Sequence, residues 1–312
     1  MECLSKQDVQ ENRIAQMSTS LLDVLLLDRT TGRNIVWATD DYSTESTYFA
    51  VDAQIIPSHI TGDNGNRIMP RVMKAKNSQQ VRTRSKAEVF TPSWICNAQN
   101  NLVDAAWFGR TDVFTIETEE GWETISTPVE FSSCKATKDW KHYVDARRME
   151  VTCGEAPYLV SRYDTVTGQP IEVPNRIGLL DRKLRVVTEN TLDEAEWMRW
   201  SIRAYQSVYA FEFQGDNLLL ARENMLATFA DYMFYVWKRQ PTEKELLRIA
   251  TILSWNIWQM DGTTNMPPYS DIDEEPSLFN PTPRSHKCRI KDWRSKKIIT
   301  YASLIGGNGN GK

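Results

Sequence analysis

The chain has 312 residues, of which 41% are hydrophobic and 25% charged, and a formal net charge of -4 at pH 7. That length buries a large core without disulfide or metal staples, and the composition excludes disorder over most of the chain. The slight negative charge excludes a protein that coats nucleic acid by electrostatics alone, because phosphate neutralisation takes clustered lysine and arginine.

No stretch reaches the roughly 18 consecutive apolar residues of a membrane span, and the first residues lack the basic and apolar regions of a secretory signal, so a cytoplasmic protein is expected. The five cysteines, Cys3, Cys96, Cys134, Cys153 and Cys288, are scattered without a C-x-x-C pair and read as reduced thiols. His59, His142 and His286 have no carboxylate or cysteine at metal-ligand spacing, so no metal is expected.

In chain order, a helix is predicted through Met17 to Leu27, then a turn at Thr31-Gly32 and a strand at Asn34-Ile-Val-Trp-Ala38. Residues 1–66 thus read as a small N-terminal α/β module, and 67–86 as a basic linker. The linker holds Arg67, Arg71, Lys74, Lys76, Arg82, Arg84 and Lys86 and no acid. A second basic set runs from Arg284 through Lys287, Arg289, Lys291 and Arg294 to Lys297. Residues 87–270 alternate between helical and strand patterns: a helix from near Pro92, short strands at Val113 to Ile116 and Glu150 to Thr152, a basic strand at Arg182 to Arg185, a helix from Leu192 to Ser207, and a strand at Val208 to Phe213. Two long helices are predicted next, Asn217 to Lys238 and Thr242 to Gln259, the second opening on Thr242 with Glu245 at capping-box spacing. Residues 271–305 form a proline-rich acidic loop and two strands, and 306–312 a glycine-rich flexible tail. Alternation of this kind favours an α/β domain.

Two segments carry the pattern of a nucleotide-type site. Met149-Glu-Val-Thr-Cys-Gly-Glu-Ala-Pro157 is a strand running into a small-residue turn, which lets backbone approach a cofactor at the carboxyl end of a sheet. Val208-Tyr-Ala-Phe-Glu-Phe-Gln-Gly-Asp216 is an apolar strand ending in acids, and Glu212 or Asp216 is placed to accept hydrogen bonds from ribose hydroxyls.

Glu88-Val-Phe-Thr-Pro-Ser-Trp-Ile95 resembles the Phe-Thr-Pro segment that opens the S-adenosylmethionine-dependent DNA amino-methyltransferases, the methylation subunits of restriction-modification systems. The family's Leu-Asp-Pro-Ala-Cys-Gly-Thr-Gly loop is similar to residues 149–156 without a gap, and its ribose-binding acid is similar to Glu212. The resemblance covers roughly residues 86–262. It implies an α/β chain with a Rossmann-like methyltransferase core, and S-adenosylmethionine held by Phe90, Thr91, Pro92, Glu150, Cys153, Gly154, Glu155, Ala156, Glu212 and Asp261. The catalytic Asn-Pro-Pro-aromatic motif finds its nearest match in Asn265-Met-Pro-Pro-Tyr269, with one extra residue, which implies Asn265, Pro267, Pro268 and Tyr269 at the reacting base. Asn256-Ile-Trp-Gln259 is a second match, inside a helical pattern and better suited to the core. Two departures stand out: the second loop glycine is Ala156, and Gly154 lies 58 positions before Glu212 where a βαβ unit uses about 20.

The implied function is adenine-N6 methylation of double-stranded DNA, with Arg71, Lys74, Lys76, Arg82, Arg84 and Lys86 tracking phosphates and a specificity or restriction subunit as partner. The alternatives are a non-catalytic DNA-binding or assembly subunit of the same fold, and an RNA or protein methyltransferase.

Overall fold

The computed structural model describes residues 8–86, 91–131, 139–270 and 287–305. The N-terminal helix is two helices, α1 (Glu11–Met17) and α2 (Thr19–Leu26), because Ser18 between them is extended at φ −169°, ψ 125°. Residues 34–38 make isolated bridges in place of the expected strand, Asn34 with Leu27 and Val36 with Gln54. After the short α3 (Pro57–Ile60), half of the basic segment winds into α4 (Lys76–Lys86), where a linker was expected.

Helix α5 (Ser93–Phe108) starts one residue after Pro92 and ends on Gly109, which takes the left-handed φ of 73° that glycine adopts without a Cβ clash. The hairpin β1 (Thr115–Thr118) and β2 (Gly121–Thr124) follows, then α6 (Trp140–Asp145) and β3 (Arg148–Val151). Next come α7 (Leu179–Asn190), α8 (Glu194–Gln206), β4 (Val208–Glu212), α9 (Gly215–Trp237), α10 (Glu243–Asn256) and β5 (Ile257–Gln259). The antiparallel pair β6 (Arg289–Asp292) and β7 (Lys297–Thr300) and the one-turn α11 (Ala302–Ile305) complete the described chain. Arg182 to Arg185, expected as a basic strand, lie in α7. Its first turn is capped by Asp181, whose carboxylate accepts the Gly178 N–H at 3.2 Å. Helix α10 opens with the Thr242–Glu245 capping box and stops at Asn256, short of the expected Gln259. The Asn256 amide donates to the carbonyls of Tyr205 and Val208, and β5 begins at the next residue.

The strands β3, β4 and β5 form a parallel sheet in that order, with Glu150 beside Ala210 and Glu212 beside Gln259. Parallel neighbours need long crossovers; here two helices fill each, α7 with α8 and α9 with α10. Side chains alternate between the faces of a strand. Val208, Ala210 and Ile257 join the helices in the main hydrophobic cluster, which also contains Leu21, Leu22, Leu25 and Leu26 of α2. The opposite face, with Tyr209, Phe211 and Trp258, packs under Cys288 and Ile290. The described chain is therefore a mixed α/β protein in which the helices of the main cluster lie on one side of a small parallel sheet.

Buried cations tie the helices together. Arg182 of α7, 1% exposed, donates to Asp104 at 2.6 Å, Asn97 at 2.9 Å and Asn101 at 2.8 Å on α5, and Asp104 also accepts from Tyr143 of α6 at 2.9 Å. Removing one partner of such a pair strands the other charge in the interior at a cost of about 3–5 kcal/mol, whereas replacing both with apolar groups is close to neutral. Asp104→Leu is expected to lower the urea midpoint accordingly at an unchanged slope, and adding Arg182→Met to recover most of the loss. Equal midpoints for the single and double variants would show that the network carries no such coupling.

Candidate functional site at the carboxyl ends of the parallel strands

The loop leaving β3 is built from left-handed residues: Thr152 at φ 49°, Gly154 at 52° and Ala156 at 64°. Only glycine enters that region freely, and a β-branched residue there is a strained outlier. Ala156 stands where the family loop has its second glycine and nonetheless takes the glycine-like conformation. The loop is held from several sides. Cys153 N–H donates to the Phe211 carbonyl at 3.0 Å, Gly154 N–H to Glu212 Oε2 at 2.9 Å, and Asn224 of α9 to the Glu155 carbonyl at 3.2 Å. Glu155 points inward, accepting from the Arg71 N–H at 2.6 Å and the Tyr163 hydroxyl at 2.6 Å.

Three carboxylates line this end of the sheet, and each is treated differently. Glu212 accepts the Gly154 N–H on one oxygen and the Gln214 N–H at 3.1 Å on the other; burial raises its pKa, and these amides work against the rise. Glu150 accepts the Tyr158 N–H at 3.3 Å on Oε1, while its Oε2 is buried without a partner. Desolvation pushes Glu150 up to about 8, with Glu212 adding to the rise. Asp216 is fully enclosed. Burial opposes its ionisation, but Lys74 and Arg82 outweigh that and hold the carboxyl well below the usual range. Asp216 accepts from Arg82 at 2.9 Å, from Lys74 at 3.4 Å and from the Tyr42 hydroxyl at 3.1 Å. Of the two acids offered for the ribose, Asp216 is thus spent on internal pairs, and Glu212 keeps the spare lone pairs of oxygens that each accept one N–H.

The other expected residues fall as follows. Thr91 and Pro92 lie at the start of α5, where the Thr91 carbonyl accepts from Thr165 at 3.1 Å. Phe90 and the side chain of Lys86 lie outside the described residues. Asp261, just past β5, accepts the N–H and hydroxyl of Thr263 at 2.7 and 2.6 Å. Asn265 and Tyr269 both have positive φ, 59° and 57°, and Pro267 and Pro268 are buried. Tyr269 meets Phe213, the residue after Glu212, edge to face with ring centroids 6.2 Å apart. The Asn265 N–H donates to the Asp261 carbonyl at 2.8 Å, and its carbonyl accepts from Cys288 at 2.9 Å. Asn256, with both ends of its amide bonded inside the core, has no place at this site.

The basic segment does not present one continuous cationic face. Arg82 is 2% exposed and Lys74 is paired with Asp216, while Arg71 is half-buried and donates to Thr83 at 3.0 Å; Lys76 and Arg84 are exposed. The missed contributor is the segment around Trp37. Gln259 exchanges hydrogen bonds with the Val36 backbone at 2.9 and 2.8 Å, and Gly215 N–H donates to the Trp37 carbonyl at 2.8 Å. A Cβ on Gly215 would stand 2.0 Å from the Val36 carbonyl oxygen, so glycine is required there. That glycine at the head of a long buried helix was the one sequence signal of the approach. A separate cavity of about 150 Å³ lies on the opposite face of the sheet, lined by Met149, Tyr209, Trp258, Ile299, Tyr301 and Leu304. Among the described residues no cluster of His, Cys, Asp or Glu could hold a metal ion, and no helix is long and apolar enough to cross a membrane.

No family model matches this chain, and neither a curated protein nor a solved structure does.

The raised Glu150 gives a sign to the pH dependence. The folded chain holds this proton more tightly than the unfolded chain, so its contribution to stability falls as pH rises from about 4.5 to about 8. Glu150→Gln keeps the Oε1 acceptor and removes the ionisation. Its stability relative to wild type is expected to grow by up to about 1.4 kcal/mol per pH unit across that window, as read by urea titration. A difference that stays constant with pH would contradict the raised pKa that burial gives this carboxyl.

Proposed function

We propose that this chain binds S-adenosylmethionine at the carboxyl ends of β3 and β4, in a Rossmann-like core, and methylates adenine N6 in double-stranded DNA as the methylation subunit of a restriction-modification or phage-defence system in the cytoplasm. The observation that carries the reading is the Gly154 N–H to Glu212 contact, which joins the turn after β3 to the acid at the end of β4 across 58 positions of chain. A third distant segment, the helix that Thr91 precedes, reaches the same loop through Asn100, which donates to the Tyr158 carbonyl at 3.0 Å. The fit is chemical as well as positional. Glu150 Oε2 is buried without a hydrogen-bond partner, and the Glu212 oxygens have lone pairs to spare.

The cofactor supplies an activated methyl group on a good leaving group, so the protein's part is to position the partners. In this reading Glu212 accepts from the ribose hydroxyls, and Tyr269, seated against Phe213, stacks on a base turned out of the duplex. Asn265 accepts from the target amine. Of the described side chains in the basic segment expected to track phosphate, Lys76 and Arg84 are exposed, so in this reading a partner subunit carries most of the DNA contact.

One arrangement favours a second reading, a non-catalytic subunit of the same fold. Both backbone groups of Asn265 are bonded within the loop after β5, and both prolines of the motif are buried.

Calorimetric titration with S-adenosylmethionine is expected to show saturable binding, weakened about ten- to hundredfold by Glu212→Gln through loss of charge-assisted hydrogen bonds. Asn265→Ala and Tyr269→Ala are expected to leave that binding in place and to lower methyl transfer to duplex DNA by about a hundredfold. Undiminished transfer in both variants would remove the catalytic assignment. Binding without transfer by the wild type, with or without partner, would favour the second reading.

A further inference from the structure

The parallel sheet has a second face, turned away from the helices of the main cluster. Partners in register on parallel strands share a face, so Met149 lies beside Tyr209 and Phe211 beside Trp258 on this one. The cross-strand pair Ile290 and Ile299 of β6 and β7 packs over them. The cavity of about 150 Å³ lies between this floor and this roof, with Tyr301 and Leu304 also in its wall. Met149 and Leu304 are 39% and 49% exposed, which leaves a way in from solvent.

The polar atoms of the two floor rings are already spent. The Tyr209 hydroxyl donates to the Lys291 carbonyl at 3.1 Å, and Trp258 Nε1 donates to the Met260 sulfur at 3.3 Å. The charged residues beside the cavity are engaged elsewhere too. Arg147 pairs with Asp292 at 2.9 Å, Arg148 is in register with Val208 on the helix face, and the Lys291 ammonium lies over the Trp293 ring, 4.3 Å from its centroid. A buried water needs about two to four polar partners, and an apolar cavity of roughly this volume stays dry and takes a benzene-sized ring. Trp258 and Tyr301, with centroids 5.3 Å apart, and Tyr209 surround such a guest with aromatic surface, which gains beyond the area buried. An anion would enter this wall unpaired, and a nucleobase would leave the donors and acceptors of its edges unmet.

We propose that this cavity is a binding site for a small neutral aromatic molecule of a single ring. It is separate from the carboxylate site: Glu150 and Glu212 alternate with Met149 and Phe211 along their strands and so belong to the opposite face. The site stands whether or not the carboxyl ends of β3 and β4 bind S-adenosylmethionine.

Calorimetric titration of the full chain with toluene is expected to saturate at one equivalent, and benzoate to bind at least about tenfold more weakly because its charge finds no partner. Ile299→Phe, which fills the cavity from its roof, is expected to weaken toluene binding by at least about tenfold. Absence of saturation with toluene, equal binding of benzoate, or undiminished binding by the folded variant overturns the site. If the variant does not fold, amide hydrogen exchange of the wild type with saturating toluene decides. Slower exchange at residues 289–292 and 297–300 is expected, and protection confined to other segments, or none, overturns the proposal.

Discussion

The burial of α9 is the constraint on which the rest of the structure depends. From Gly215 to Met233 nearly every residue of the helix is enclosed, including two acids and an arginine. A charge taken out of water must be paired, solvated by backbone or neutralised, and each solution recruits a different part of the chain. Asp216 draws in Tyr42, Lys74 and Arg82, Arg222 draws in the end of α2 and the start of β5, and Asp231, near the exposed end, draws in Arg162 and Arg176. Glu223 takes the third: buried with neither oxygen hydrogen-bonded, its carboxyl is pushed well above the usual range by desolvation. The N-terminal residues and the basic segment are packed against the sheet because the central helix needs them there.

The candidate site inherits its rigidity from the same helix. Asn224 bonds both the Glu155 carbonyl and the Tyr163 hydroxyl, and Glu155 in turn fixes the backbone of Arg71. Glu212, two residues beyond the hydrogen-bonded middle of β4, closes the loop from the other side. A backbone with three left-handed residues in five persists only where its surroundings over-determine it. Four separate anchors meet that condition here, and the result is a turn whose amide groups and acids are fixed before any ligand arrives.

Local signals in the sequence were read where one chain segment settles the structure alone. The Thr242–Glu245 box starts α10, Pro92 precedes α5, and the apolar run at Val208 is a fully buried strand. A resemblance named Thr91, Gly154 and Glu212 together, and of these the Gly154 N–H meets the Glu212 carboxylate at 2.9 Å. Other features depended on partners that a sequence does not name. Asn34 to Ala38 has the composition of a strand, but its backbone bonds are shared among Leu26, Val51, Ala53, Ile55 and Gly215, and the Asn34 and Val36 N–H groups go to the side chains of Gln54 and Gln259, so only isolated bridges form. Arg182 to Arg185 looked like a basic strand because the acid and amides that receive Arg182 lie about 80 residues earlier. The run from Arg67 to Lys86 shows its sign in the sequence but not its direction, and the acids that turn it inward, Glu45, Asp41 and Asp216, are elsewhere in the chain.

The measurement that bears most directly on the account is amide hydrogen exchange of the whole chain with and without saturating S-adenosylmethionine. The account predicts slower exchange confined to residues 152–158 and 212–216, with β6 and β7 unaffected. Protection that appeared only around the cavity under β6 and β7, or no change anywhere, would contradict it.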